Sequence, residues 1–235
     1  MMSNSKPEKL WGKDYIIVMI ASAGISFCNY FFFSTLPIYA QKISGTVVYA
    51  GLMTGVYTLA ALATRPFSGN LSDKFGRTKL LILGAFLCTI ACTLYNFATI
   101  ISLLIFIRIL HGIGFGIHST SGGAVAADVI PKSRMAEGIG YFGLYGTIAA
   151  AVAPGIALSI IENGEIQKFR NLFILAAVVS FISLIFDCCI TYERKNKNAL
   201  NNEILSPTET ESYNENLPKT FLGFTSILGL RFLLL

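Results

Sequence analysis

The chain has 235 residues, 54% of them hydrophobic and only 13% charged, about half the charged fraction of an ordinary soluble domain. The net charge is +5, but the basic residues are scattered between long apolar runs, which argues against a nucleic-acid surface. So much apolar mass requires a bilayer, and the chain is best counted in spans of about 20 residues.

Residues 1–14 read as a cytoplasmic N-terminus. Lys6, Lys9 and Lys13 precede an apolar run, as in a secretory signal, but the run reaches from Tyr15 to about Ala40. A signal core is only about 7–15 residues and ends in a cleavage site, so an uncleaved first span is expected. Six apolar segments follow one another, near Tyr15–Tyr39, Val47–Leu71, Thr78–Tyr95, Ile100–Val125, Ala136–Ile161 and Phe169–Thr191. A single run in lipid satisfies its own backbone hydrogen bonds only as a helix. The expectation is an all-α integral membrane protein, with a six-helix transmembrane bundle over 15–191. Residues 192–218, rich in Asn, Glu, Ser and Lys, read as a flexible cytoplasmic loop. Residues 219–235 form a partial seventh apolar segment interrupted by Arg231, read as the truncated start of a seventh helix.

With the N-terminus inside, the cytoplasmic segments hold Lys6, Lys9, Lys13, Lys74, Arg77, Lys79, Lys132, Arg134, Arg194, Lys195 and Lys197. The outer loops hold only Lys42, Lys168 and Arg170. The positive-inside bias therefore predicts a cytoplasmic N-terminus. The five cysteines all lie in apolar runs. Cys88 and Cys92 share a helix face but are read as small packing residues, so neither a metal site nor a disulfide is expected.

Three motifs carry the functional argument. The first is Gly69-Asn70-Leu71-Ser72-Asp73-Lys74-Phe75-Gly76-Arg77-Thr78-Lys79, between the second and third spans. Gly69 would allow a close helix approach and Gly76 a tight turn, while Asp73 is an acid placed in a basic loop. The second is Arg108-Ile109-Leu110-His111-Gly112-Ile113-Gly114-Phe115-Gly116. Counted from Thr99, Arg108 falls about 14 Å deep, near the midplane, where a buried cation is costly and marks function by default. Gly112 and Gly116 are spaced for helix packing. His111 reads either as a protonatable group in a pathway or as a neutral hydrogen-bonding residue of the bundle; His118 reads as the latter. The third is the fifth span, with Gly146 and Ala149-Ala150-Ala151-Val152-Ala153-Pro154-Gly155, a small-residue packing face that Pro154 can kink. Asp187, about one turn from the inner end of the sixth run, reads as an interfacial anchor.

The pattern Gly-x-x-x-Asp-x-x-Gly-Arg at 69–77 resembles the signature loop of the major facilitator superfamily, and Arg108-x-x-x-Gly112-x-Gly114 resembles that family's fourth-helix motif. The fifth span resembles the family's antiporter motif only in part, since Ala149, Ala153 and Ala157 stand where it has glycines. The resemblance covers about residues 10–195 and implies the N-terminal six-helix half of the fold. It further implies a conformational latch of Gly69, Asp73, Gly76, Arg77 and Asp128, with Arg77 and Asp128 as an ion pair. Arg108, His111 and Gly112 would belong to the transport pathway or proton coupling, and Gly116, Gly146, Pro154 and Gly155 to helix packing.

The implied function is secondary active transport of a small organic solute across the cell membrane, by efflux in exchange for protons. The alternatives are a transport-inactive truncated fragment and an uptake symporter. Partners would be the solute, protons, lipid, and either a missing C-terminal half or a second copy through self-association. No cofactor is expected, and no catalytic constellation suggests an enzyme.

Overall fold

Long apolar runs become long helices because each residue added closes one more backbone hydrogen bond inside the segment. The computed structural model describes residues 9–162 and 164–193. They form α1 (Lys13–Ser44), α2 (Val48–Phe75), α3 (Arg77–Leu94), α4 (Ile101–Val129), α5 (Met135–Ile161) and α6 (Ile166–Cys188). The helices belong to one compact unit that ends at Tyr192. The loop expected at 192–218 and the seventh segment at 219–235 fall outside the described residues, save for Tyr192 and Glu193.

The helices overrun the expected spans. Pro37 is accommodated inside α1, which continues through the predicted turn to Gly45, in left-handed backbone at φ 73°. α2 likewise runs on through Asp73 and Lys74 to Phe75. The signature segment is therefore mostly helix, and its turn is confined to Gly76. The φ of 101° there suits glycine, which has no Cβ to clash.

Five of the six helices are long and apolar enough to cross a membrane. α2 has the length, 28 residues, but Arg65, Asp73 and Lys74 together with its Ser, Thr and Gly content lower its apolarity. All six expected segments are helices, and α2 is the most polar of them.

α4 packs against α2 and α3, α1 against α5 and α6, and α3 against α6. Alternation of direction brings the start of α1, the α2–α3 turn, the α4–α5 turn and the end of α6 to one end of the bundle. The buried cluster at that end holds Leu10, Tyr15, Val18, Leu81, Val125 and Tyr192. The opposite half is larger and aromatic, with Phe32, Tyr39, Tyr95, Phe169 and Phe173. Many large apolar side chains, such as Leu59, Phe106, Ile148 and Phe181, remain exposed, as lipid-facing surfaces require.

Candidate functional site

α4 positions most of the polar interior. Gly112 and Gly116 lie so close to α2 that an added Cβ would sit 2.6 Å from the Tyr57 carbonyl oxygen and 2.7 Å from that of Ala61. On the other side, Gly84 and Gly114 bring α3 and α4 together: a Cβ at Gly84 would lie 2.5 Å from the His118 backbone nitrogen. α4 is wedged between α2 and α3 with almost no side-chain padding.

That close approach presses Arg108 into α2. Arg108 is fully buried. Its Nε donates to the Met53 carbonyl at 3.2 Å, and its Cζ stands 4.5 Å from the centroid of the Tyr57 ring. Nη1 and Nη2 have no hydrogen-bond partner among the described residues. A guanidinium out of water with two orphaned donors is a costly arrangement, offset in part by cation–π attraction to Tyr57. α4 starts at Ile101, so Arg108 is seven residues in, about 10 Å along the helix rather than the roughly 14 Å counted from Thr99, and halfway from the start of the helix to its middle.

His111 is fully buried one turn further on. Its Nδ1 is 3.4 Å from the Tyr95 hydroxyl, and Phe32, Tyr57 and Tyr95 surround its ring at centroid distances of 5.5, 5.4 and 5.9 Å. Nε2 has no partner. Arg108, His111, Tyr57 and Tyr95 thus form one polar-aromatic nest shared by α2, α4 and the short turn that follows α3.

At the end of the bundle that holds Lys13, Arg77 Nη1 reaches Asp128 Oδ1 at 2.6 Å. The other carboxylate oxygen accepts a hydrogen bond from the Tyr192 hydroxyl at 2.9 Å. Asp14 Oδ1 accepts from the Thr191 backbone N–H at 2.9 Å and from its hydroxyl at 3.3 Å. Residues just past α6 are therefore tied to both α1 and α4, a connection that no motif foretold. Asp73 lies in the last turn of α2, and its side chain is outside what the structure describes.

Several packing expectations need correction. A Cβ at Gly69, Gly146 or Gly155 would meet nothing within 4 Å, so none of these glycines serves a close helix contact among the described residues. α5 instead buries Ala149, Ala153 and Ala157, the alanines that stand in place of the antiporter motif's glycines. Pro154, half-buried, is accommodated within α5, which continues to Ile161.

Asp187, in the last turn of α6, is turned into the bundle: it is fully buried, and its Oδ2 is 3.0 Å from His118 Nε2. The two residues are 69 positions apart, and neither belongs to a recognisable motif.

Comparison with known proteins agrees with this architecture. The Major Facilitator Superfamily profile matches residues 18–235. An uncharacterised MFS-type transporter of Methanocaldococcus jannaschii is 28% identical over 153 residues, covering 63% of this chain and 40% of its own length. The staphylopine export protein of Staphylococcus aureus is 25% identical over 170 residues, 72% of this chain and 40% of that protein. A quinolone resistance protein of the same species is 22% identical over 195 residues, 83% and 49% of the two chains. The matched stretch spans less than half of each of these relatives. The chain is a multi-pass membrane protein and belongs to the major facilitator superfamily of transporters.

Proposed function

We propose that this chain supplies one six-helix half of a secondary transporter that exports a small organic solute in exchange for protons. The observation that carries the reading is Arg108: a fully buried cation, with two unpartnered donors, held by the Met53 carbonyl and the Tyr57 ring. Intramembrane ionisable groups are expensive and are retained where they handle a solute or ion. Arg108 and His111, with Gly112 admitting α2, serve the pathway. Export is supported by the likeness to the staphylopine export protein, and a small organic solute by the likeness to a quinolone resistance protein.

Arg77 and Asp128, with Gly76 as the turn and Asp73 on the adjoining helical turn, act as a latch at the inner surface. The basic residues at that end favour a cytoplasmic N-terminus, and the cell membrane is the expected site. The protein works as a transporter rather than an enzyme.

A solute site between two repeats loses half its contacts when one repeat is absent, and alternating access needs a second bundle to move against. Transport therefore requires a C-terminal half or self-association. The test is reconstitution of the purified chain in proteoliposomes with an imposed proton gradient. Flux only in cross-linkable dimers, or on co-reconstitution with a second half, and lost in Arg108→Ala, is the expected result. Flux from a demonstrably monomeric sample would overturn the half-transporter reading, and dimer flux indifferent to Arg108→Ala would overturn the assigned pathway.

A further inference from the structure

We propose that His118 and Asp187 form a proton-binding site in the interior of the bundle, holding one exchangeable proton between α4 and α6. His118 Nε2 and Asp187 Oδ2 are 3.0 Å apart, and the two side chains are 3% and 0% exposed. Asp187 Oδ1 has no hydrogen-bond partner among the described residues. The adjoining buried cluster is apolar, while the Ser183 hydroxyl, one turn before Asp187, is also buried and donates to the Val179 carbonyl at 3.0 Å. Ile25, Ala85 and Cys88 form a small buried cluster, with Phe115 and Leu184 packed against it, and these last two lie one turn before His118 and Asp187.

Charge counting gives the occupancy. A neutral imidazole beside an ionised carboxylate leaves a net negative charge in an apolar interior, with one carboxylate oxygen unsatisfied, which is the expensive state. One added proton makes the pair neutral overall, as imidazolium with carboxylate or as imidazole with carboxylic acid. The proton comes from water and returns to it, and no other bond changes. Asp187 has no exposed surface, and the little that the pair retains belongs to His118.

The neighbouring elements bring little that competes. α3 contributes the Cys88 thiol and α6 itself the Cys188 thiol, both close enough to interact with Asp187. α1 contributes Asp14, already engaged by Thr191 one turn beyond Asp187. α5 presents Tyr145 toward Ser22 and Ser26 of α1. α2 reaches α4 nearby through Ser72, which shares a hydrogen bond with Ser121 at 3.1 Å and does not titrate. His118 is also fixed in place, since the α3 backbone at Gly84 abuts its own backbone.

Use of this site in proton coupling rests on the transporter reading above; proton binding itself does not. The chain has only two histidines, which makes a direct test practical. The full chain, labelled with ¹⁵N-histidine in lipid nanodiscs, is titrated by NMR, with a His111→Gln variant assigning the His118 signals. Infrared spectra record the protonated-carboxyl band. At about pH 7 the pair should hold its proton, seen either as imidazolium at His118 or as a carboxylic acid band lost in Asp187→Asn. Where the proton sits on His118, Asp187→Asn should convert the imidazolium ¹⁵N signature to that of neutral imidazole at the same pH. If Asp187→Asn does not fold, His118→Gln should leave Asp187 as a protonated carboxyl at the same pH. A neutral His118 with no carboxylic acid band in the wild type, or an ionised Asp187 in His118→Gln, would overturn the proposal. Neither readout depends on flux, so failure here and failure of the transporter reading are separable.

Discussion

Asp128 is shared between Tyr192 and Arg77: the tyrosine hydroxyl donates to Oδ2 at 2.9 Å while the guanidinium holds Oδ1 at 2.6 Å. One carboxylate on α4 thus joins the turn after α2 to the chain leaving α6. Arg77 and Asp128 are each about one-third exposed, at 34% and 33%, so solvent weakens the ion pair, and exposed pairs contribute only about 0.2–1 kcal/mol. A double-mutant cycle on Arg77→Ala and Asp128→Ala, read by thermal unfolding in detergent, should give a coupling energy below about 1 kcal/mol. Tyr192→Phe should cost about 1 kcal/mol, one hydrogen bond. A coupling of several kcal/mol would mean that the pair holds the fold rather than biasing a conformational equilibrium.

The glycines should divide into two classes under alanine substitution. Gly84→Ala forces a methyl within 2.5 Å of the His118 backbone nitrogen, and backbone cannot yield as a side-chain tip can. Overpacking of this kind costs about 1–3 kcal/mol or more. Gly146→Ala and Gly155→Ala meet open space and remove glycine's helix penalty, worth up to about 1 kcal/mol in water. Melting curves of the purified variants should place Gly84→Ala well below the parent and the two α5 variants at or above it. Equal losses in all three would show that the open faces of α5 are packed after all.

What the sequence disclosed follows from how local each signal is. Apolar runs mark helices because a span must be continuous, so all six were visible, although their ends were not: α1 and α2 carry on through segments whose Gly, Ser and charged residues suggest turns. Arg77 and Asp128 could be paired because a motif fixes both positions. The contact of His118 with Asp187 depends on how α4 and α6 rotate against each other, which no run of either sequence records. The same holds for α5. Its glycines and its alanines both offer small faces, and only packing against α1 decides that Ala149, Ala153 and Ala157 go inward.

Thiol chemistry gives a topology test. Cys28, Cys88 and Cys92 are buried, while Cys188 and Cys189 are exposed at the end of α6. A membrane-impermeant maleimide should label the chain in inside-out vesicles and leave right-side-out vesicles unlabelled. The Cys188→Ser, Cys189→Ser double variant should abolish the signal. Labelling confined to right-side-out vesicles would reverse the proposed orientation.

Arg108 and Tyr57 provide the sharpest chemical test of the polar nest. The Tyr57 hydroxyl has no hydrogen-bond partner among the described residues, whereas its ring faces the guanidinium at 4.5 Å. The ring, not the hydroxyl, is therefore the part that matters. Tyr57→Phe should leave stability within about 0.5 kcal/mol of the parent, because it removes an unsatisfied polar atom and keeps the π face. Tyr57→Leu keeps apolar bulk but loses the quadrupole, and should cost up to about 2 kcal/mol, the range for a desolvated cation–π pair. The Leu penalty should shrink when Arg108 is already methionine, since no cation remains to be stabilised. Thermal unfolding of the four variants in lipid-like detergent closes this cycle. A Phe penalty as large as the Leu penalty would show that the hydroxyl carries the interaction, and an undiminished Leu penalty beside Arg108→Met would assign it to packing alone.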